Sequence, residues 1–331
     1  MTTYYGLYGQ KVQYLASDPT DVQVGQVWYN STSAVLKVRS VTTTGTWASG
    51  GNMNTARGAL SGAGTQTAAL AVGGYTGAIT GITELYDGSV WTTSPASLNT
   101  ARSYASKNSN GTQTSAIIAG GSPPITNASE SWNGSTWTNT PSLNTARYSL
   151  AGAGASATSS IVFSGYPPSF TATTATESWN GSSWTTVNSL NSAGQGINGI
   201  GTQTAALASG GGPPPNRSSG VASESWNGTS WSNLPGGNLN TGRFAHAGFG
   251  IQTLATIFGG ESPSITAVTE IWNGTSWTNN PNNYPTNIAV AAGAGTQAAG
   301  LGFGGYTPSI TANTREFTGP GAGSTKTVTV T

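Results

Sequence analysis

The chain has 331 residues, only 6% of them charged, and a formal net charge of +1 at pH 7. This composition carries no basic field for nucleic acid or for an anionic membrane surface. Cysteine is absent and there is a single histidine, which excludes disulfides, thiolate metal sites and cysteine nucleophiles. We therefore expect no cofactor and no metal, and the 11 Trp and 12 Tyr predict a core rich in aromatic side chains.

The first predicted unit, residues 1–44, contains two strands and follows no repeat. VGQVWYNSTSAVLKVRSV at 24–41 alternates in its second half and is interrupted by an Asn-Ser-Thr-Ser turn. Asp18 and Asp21 are expected to cap or turn the chain rather than to bind a metal. MTTYYGLYGQ lacks a basic stretch followed by an apolar run, so no secretory signal is expected. No stretch approaches the roughly 18 apolar residues of a membrane helix.

A repeat begins after this unit, and its clearest element is ESWNGSTW at 130–137. Related strings contain the repeat glutamates Glu84, Glu130, Glu177, Glu224, Glu270 and Glu316. Their spacings are 46, 47, 47, 46 and 46 residues, so there are six units. A period of roughly 40 to 50 residues is typical of a four-stranded propeller blade.

Within each unit, the Asn-Gly pair predicts a hairpin between the third and fourth strands. A type I′ turn at Asn133 and Gly134 would place Trp137 opposite Glu130. Trp132 would share their face of the sheet, because side chains alternate along a strand. We expect this aromatic face to pack against the next blade.

Paired glycines follow the apolar second strand in most units, at 73–74, 120–121, 210–211, 259–260 and 304–305. Paired Gly after a β run, then an acidic and aromatic strand, then Trp, resembles a kelch repeat. The resemblance covers residues 46 to 319 and implies a six-bladed kelch-like β-propeller. It implies no particular function, because one fold serves many functions.

The sixth unit lacks its fourth-strand Trp, since no Trp follows Glu316. Trp47 stands ten residues before Arg57, as Trp137 stands ten before Arg147. This spacing predicts that the segment around Trp47 supplies the outer strand of the last blade and closes the ring, which removes an open sheet edge.

The predicted organisation is therefore all-β, in three parts. Residues 1–44 form an N-terminal β attachment segment, and residues 45–319 form the six-bladed kelch-like propeller, closed by an N-terminal strand. Residues 320–331, which include the alternating STKTVTVT, form a C-terminal strand that pairs with the attachment segment.

The phrase VGQVWYN followed by LKV resembles a short β motif of tail-fibre and other virion proteins of tailed bacteriophages. Propellers rich in Gly, Ser, Thr and Asn also occur in such proteins. The resemblance implies a non-enzymatic tail or tail-fibre component located in the virion in several copies. Its attachment segment would contact other virion proteins, and its loops would bind a host surface polysaccharide. No nucleic acid and no membrane insertion are expected.

The candidate binding surface comes from propeller topology, because loops joining strands two and three share a face with loops joining successive blades. The candidate ligand-binding residues are Tyr75, Tyr166, Phe170, Pro214, Arg217 and Tyr306 in the first set of loops, and Arg57, Arg102, Arg147 and Arg243 in the second, where Gly194 and Asn287 take the other two places. Two interpretations remain open. The side chains form a rim that stacks on sugars or docks another virion protein, or each Arg pairs with a repeat Glu while Pro stiffens the loop.

Enzymatic alternatives are limited by composition. The copper site of galactose-oxidase-type kelch propellers needs two His and a Cys-linked Tyr, which this chain does not have. A sialidase-like or other glycan hydrolase remains an alternative if repeat Glu residues face the channel with space between them. A purely structural virion joint is another alternative, and a bacterial surface adhesin would need an export signal. His246 is expected to pack in a strand, because no nucleophile accompanies it.

Overall fold

The computed structural model describes residues 12–20, 25–41, 44–107, 111–212, 220–321 and 323–328. These residues form strands, turns and loops, with no α-helix among them. None of the described segments forms a helix long and apolar enough to cross a membrane. The chain divides into two compact units, one of residues 1–44 with 319–331 and one of residues 45–318.

The described residues of the terminal unit form one sheet of four strands, in which the last strand along the chain lies beside the third. Its strands are β1 (Gln13–Leu15), β2 (Val27–Asn30), β3 (Val35–Val41) and β27 (Gly323–Val328). β1 is parallel to β2, whereas the other pairs are antiparallel. The carboxylate of Asp18 accepts hydrogen bonds from Trp28 and Asn30 and pairs with Lys37 at 2.7 Å. These hydrogen bonds lower the pKa of Asp18 to about 2, and the bond from Lys37 has the largest effect. Asp21 lies outside the described residues.

The described residues of the second unit form six antiparallel sheets of three or four strands, arranged like the blades of a propeller. Sheet 1 has β5 (Ser61–Thr65), β6 (Ala68–Val72), β7 (Thr83–Tyr86) and β8 (Trp91–Thr93). Sheet 2 has β9 (Ala116–Ala119), β10 (Ser129–Trp132) and β11 (Trp137–Thr140). Sheet 3 has β12 (Ala151–Ser156), β13 (Ser159–Phe163), β14 (Thr176–Trp179) and β15 (Trp184–Val187). Sheet 4 has β16 (Asn198–Gly201), β17 (Ala206–Ser209), β18 (Ser223–Trp226) and β19 (Trp231–Asn233); sheet 5 has β20 (Ala247–Ile251), β21 (Leu254–Phe258), β22 (Thr269–Trp272) and β23 (Trp277–Asn279); sheet 6 has β24 (Ala292–Gly295), β25 (Ala299–Phe303), β26 (Thr314–Thr318) and β4 (Thr46–Ser49).

The predicted register of the repeat hairpin is wrong by two residues. Trp132 lies opposite Trp137, so the loop has four residues rather than two. The side-chain oxygen of Asn133 accepts the backbone N–H groups of Ser135 and Thr136 at 2.9 and 2.8 Å, which stabilises the longer turn. Because a shift of two residues keeps side chains on the same face, the two indoles still share a face, with ring centroids 5.2 Å apart.

That aromatic face packs against the preceding sheet along the chain, not against the next one as predicted. In sheet 2 the indole N–H of Trp137 donates to the Thr83 hydroxyl of sheet 1 at 2.9 Å. The equivalent bonds join Trp184 to Ser129, Trp231 to Thr176, Trp277 to Ser223, Trp47 to Thr269, and Trp91 to Thr314. Each interface therefore combines buried aromatic area with a satisfied indole donor.

Glutamines from the turn between the first and second strands make a second set of bonds between sheets. Gln113 donates from its amide nitrogen to the carbonyl oxygens of Ala69 and Tyr86 in sheet 1, at 3.1 and 2.6 Å. Gln66, Gln203, Gln252 and Gln297 each donate to the preceding sheet in the same way. These bonds tie the turn of each sheet to the second and third strands of the preceding sheet.

The strand that contains Trp47 belongs to sheet 6. β4 pairs antiparallel with β26, so that Trp47 lies opposite Phe317. The ring of Trp47 also contacts Phe258 and Tyr284 of the region before sheet 6, with centroids 5.0 and 4.8 Å away. Sheet 6 thus combines strands from the two ends of the second unit.

In each segment that joins two sheets, one residue adopts a left-handed backbone conformation. These residues are Ala59, Tyr104, Ser149, Gly196, Ala245 and Val290, with φ between 49° and 63°. Five of these residues donate their N–H group to the carbonyl of the equivalent residue one sheet earlier, from Tyr104 to Ala59, Ser149 to Tyr104, Ala245 to Gly196, Val290 to Ala245, and Ala59 to Val290. Because side chains disfavour this conformation by about 1 to 2 kcal/mol, the bonds between sheets compensate for a local cost.

Candidate functional site

The repeat carboxylates lie in buried clusters that connect loops to strands. In sheet 3 the carboxylate of Glu177 accepts the N–H of Asn144 at 2.6 Å and pairs with Arg147 at 2.7 Å. The same pairing joins Arg57 to Glu84 at 3.2 Å, Arg102 to Glu130 at 2.9 Å, and Arg243 to Glu270. These clusters hold the segment that joins two sheets against the third strand of the next sheet.

The four arginines are therefore not available to a ligand on the loop surface. Their side chains are at most 1% exposed. Burial lowers the pKa of Arg57 to about 10, an effect opposed by the charge of Glu84. Of the two interpretations left open for Arg57, Arg102, Arg147 and Arg243, this arrangement favours the structural one, in which Arg pairs with the repeat Glu.

The sixth equivalent of these arginines is Ile288, not Asn287 as predicted. The N–H of Gly58, next to Arg57, bonds the Tyr75 carbonyl, and the N–H of Ala289 bonds the Tyr306 carbonyl in the same way. This pairing aligns Ile288 with Arg57. Arg147 follows Trp137 by ten residues, whereas Ile288 follows Trp277 by eleven. Counting ten residues from Trp277 therefore gives Asn287.

Three of the predicted aromatic rim residues are exposed. Tyr75, Phe170 and Tyr306 expose 42%, 65% and 41% of their surface, whereas Tyr166 is buried at 2%. The ring of Tyr166 contacts that of Tyr148, with centroids 5.8 Å apart. Pro214 and Arg217 lie outside the described residues.

A groove of about 450 Å³ lies among the loops of sheets 1 to 3, and we call it the aromatic groove. Tyr75, Tyr104, Tyr148 and Phe170 line it together with Pro123. The rings of Tyr104 and Tyr148 meet edge to face at 6.4 Å. The groove brings Tyr75 and Phe170 together, whereas Tyr306 does not line it.

A second cavity, of about 330 Å³, shares Tyr104 and Tyr148 with the aromatic groove and carries the charged groups Lys107 and Glu261. The ammonium group of Lys107 donates to the carbonyl oxygens of Ala245 and His246 at 3.3 and 3.4 Å. Burial lowers the pKa of Lys107 to about 8, against the attraction of Glu261. The cavity thus places a poorly hydrated cation and an acidic side chain beside two tyrosines.

Sequence analysis missed Tyr104, Tyr148, Lys107 and Glu261. A signal for the charged pair exists, because Lys107 is the only Lys between residues 45 and 318 and Glu261 is the only Glu there outside the repeat positions. No repeat pattern places these residues together, so their proximity follows from the arrangement of the sheets alone.

His246 is fully buried, and its Nε2 lies 3.3 Å from the hydroxyl of Ser209, which is also buried. Burial, followed by the charges of Arg243 and Lys107, lowers the pKa of His246 well below its usual value near 6.5. A neutral imidazole and a hydroxyl with so little exposure have no surface on which to bind a substrate. In the part of the chain that the structure describes, no three His, Asp or Glu residues are grouped to hold a metal ion.

Comparisons with known proteins assign no family to the chain. No family model matches the sequence, and no curated protein matches it either. The functional conclusion therefore depends on the sequence pattern and on the geometry of the cavities.

Proposed function

We propose that residues 45–318 form a closed, six-bladed, kelch-like propeller in which the strand at Thr46–Ser49 completes the sixth blade. The pairing of β4 with β26 supports this closure. Two bonds between sheets 1 and 6 also support it, from Trp91 to Thr314 and from Ala59 to Val290. A closed ring leaves no sheet face uncovered between its first and last blades.

We propose that the protein is a non-enzymatic bacteriophage tail or tail-fibre component that binds a host surface glycan. The observation that carries the proposal is the aromatic groove, where Tyr75, Tyr104, Tyr148 and Phe170 meet. Aromatic faces pack against the apolar faces of sugar rings while tyrosine hydroxyl groups bond to sugar hydroxyls. The VGQVWYN resemblance supports the phage assignment, with the segment at residues 1–44 attaching to other virion proteins.

Weak single sites suit such a role, because many copies on one particle multiply their effect. Linked sites exceed the affinity of one site by factors of roughly 10² to 10⁴ when the geometry allows simultaneous contact. The sparse charge of the chain fits recognition of neutral polyols, since only 6% of its residues are charged.

The positions of the repeat glutamates favour binding over hydrolysis. Glycoside hydrolysis needs two carboxyl groups on either side of the bond to be cleaved. Glu84, Glu130, Glu177, Glu224 and Glu270 are buried and accept backbone N–H groups. Glu316 accepts the hydroxyl of Tyr86 at 2.8 Å. These carboxylates bind the chain itself.

The test is binding of the purified chain to whole cells and extracted surface polysaccharides of candidate hosts. The double variant Tyr75→Ala, Phe170→Ala removes two walls of the aromatic groove, and we expect at least a tenfold loss, since each ring contributes about 1 kcal/mol. Tyr306→Ala is the matched control, because Tyr306 is equally exposed and bridges its own loop as Tyr75 does.

Loss in the double variant but not in the control supports glycan recognition at the groove. Equal binding by all three proteins contradicts it. If the chain binds no cell but assembles with other virion proteins through these loops, the protein is a structural joint and not a receptor-binding protein. Melting curves of all variants separate lost binding from lost folding.

A further inference from the structure

Sheet 4 contains a repeat carboxylate without its arginine. Gln195 bonds the carbonyl of Gly212 as Tyr148 bonds that of Tyr166, which aligns Gly194 with Arg147. Glycine has no side chain to reach the carboxylate of Glu224, which is only 3% exposed. Among the described residues, no Lys or Arg pairs with it.

Backbone and amide donors hold Glu224 in the usual orientation even so. Its carboxylate accepts the N–H of Asn191 at 2.8 Å, the side-chain amide of Asn191 at 2.9 Å and the N–H of Ser192 at 2.9 Å. The anion is therefore fixed in place, and the cation that neutralises it in four other sheets is missing from its side.

A cavity of about 190 Å³ lies beside Glu224, and Ser192, Gly210 and Ala222 are among the residues that line it. We call it the sheet 4 cavity. Its volume exceeds that of one water, which occupies about 30 Å³ in the liquid. Its location is that of the missing arginine side chain.

The other sheets show which groups surround a guanidinium group there. In sheet 3, Nη1 of Arg147 donates to the carbonyl oxygens of Ser164 and Ala175 at 2.9 and 2.8 Å. In sheet 5, Nη1 of Arg243 donates to the carbonyl oxygens of Gly259 and Val268 at 3.2 and 2.8 Å.

Sheet 4 retains the same acceptors. The N–H of Gly210 bonds the Ala222 carbonyl at 3.0 Å, just as Ser164 bonds Ala175 in sheet 3. The carbonyl groups of Gly210 and Ala222 are therefore the equivalents of those that accept from Arg147. With the carboxylate of Glu224, they offer three acceptor groups, and no Lys or Arg of the described residues pairs with that carboxylate.

We propose that the sheet 4 cavity binds a guanidinium group from outside the chain. A planar guanidinium group presents five N–H donors in a fixed fork, which matches a carboxylate and two carbonyl oxygens better than a compact ammonium group does. The group comes either from a small guanidino compound or from an arginine side chain of a partner. This site shares no lining residue with the aromatic groove, so binding of a guanidinium group there does not depend on glycan binding at the groove.

Calorimetric titration of the full chain with millimolar methylguanidinium chloride tests the site, with methylammonium chloride at equal ionic strength as the control ligand. We expect saturable binding of methylguanidinium, at least tenfold tighter than that of methylammonium. Glu224→Gln is expected to weaken it at least tenfold, because the variant removes the anion and keeps the shape. Titration with the amidated tripeptide Ala-Arg-Ala distinguishes the two sources of the guanidinium group. Tighter binding of the tripeptide than of methylguanidinium indicates an arginine of a partner, and weaker binding indicates a small guanidino compound.

A second variant fills the site from within. Gly194 does not have a left-handed backbone, but a Cβ there would lie 2.9 Å from Cδ1 of Ile197. The double variant Gly194→Arg, Ile197→Val is expected to abolish binding and raise the melting temperature, whereas Ile197→Val alone keeps binding.

Absence of binding to the parent chain, or equal binding by Glu224→Gln, overturns the proposal. Binding that appears only in Arg217→Ala also overturns it, because an arginine of the chain itself would then occupy the site.

Discussion

Replacing Glu177 by Gln is expected to destabilise the protein more than replacing Glu224 by Gln, although the two carboxylates occupy equivalent positions. Glu177→Gln leaves the guanidinium group of Arg147 buried without an anion, since that side chain is fully buried. Removing one partner of a buried ion pair costs about 3 to 5 kcal/mol. Glu224→Gln leaves no buried cation behind and costs about 1 to 3 kcal/mol, the price of one poorly satisfied hydrogen-bonding group.

The expected difference between the two variants is therefore about 2 kcal/mol in the free energy of unfolding. For a chain of 331 residues it corresponds to a difference of roughly 3 °C in melting temperature. Differential scanning calorimetry and urea unfolding followed by tryptophan fluorescence at pH 7 measure both quantities. Arg147→Met combined with Glu177→Gln should recover part of the loss, because the unpaired charge is removed. Equal losses for the two single variants, or a larger loss for Glu224→Gln, would refute the role assigned to the ion pair.

Two further predictions concern Lys107 and the hairpin turn. Burial lowers the pKa of Lys107 from 10.5 to about 8. Between about pH 8 and pH 10 the unfolded chain therefore binds more protons than the folded chain. The free energy of unfolding should rise across this window by up to about 3 kcal/mol. Urea midpoints at these pH values should show the rise in the parent chain and not in Lys107→Met; a rise of the same size in both would exclude Lys107 as its source. Asn133→Ala removes the acceptor of two backbone N–H groups and should cost about 1 kcal/mol in urea unfolding, whereas Asn133→Asp should cost little, because Asp87 makes the same bonds to Ser89 and Val90 in sheet 1. Equal stability of the two variants would argue against the turn geometry described for Asn133.

The recurrence of Glu and Trp was enough to predict an all-β chain built from blade-like sheets, because a period near 46 residues and an alternating pattern admit few architectures. The hairpin register was not predictable from Asn133 and Gly134 alone. Asn-Gly favours a two-residue turn, but the Asn133 side chain stabilises a four-residue turn through its own bonds. The shared face of Trp132 and Trp137 survived the error because the shift was even.

The candidate site was less predictable than the fold. Tyr75 and Phe170 were identifiable because they interrupt polar loops, and both are exposed in the structure. Tyr104 was missed because it follows a repeat arginine, where a packing role is the simpler expectation. For Arg102 the sequence left both a surface role and a pairing with a repeat Glu open, and the structure buries its side chain against Glu130. Exposure depends on which charged residues meet in three dimensions, and a single sequence carries little information on such long-range contacts.

The recurring indole-to-hydroxyl bond has a consequence for how this chain could change over generations. Sheet 2 contacts sheet 1 through Trp137 and Thr83, and sheet 5 contacts sheet 4 through Trp277 and Ser223, in the same manner. A recombination event that exchanges one unit for another would create no new kind of interface, because each unit already carries both halves of the contact. Loop residues such as Tyr75 and Phe170 take no part in that contact. Loop sequences can therefore be shuffled between units, and new binding surfaces produced, while the joints between the sheets stay the same.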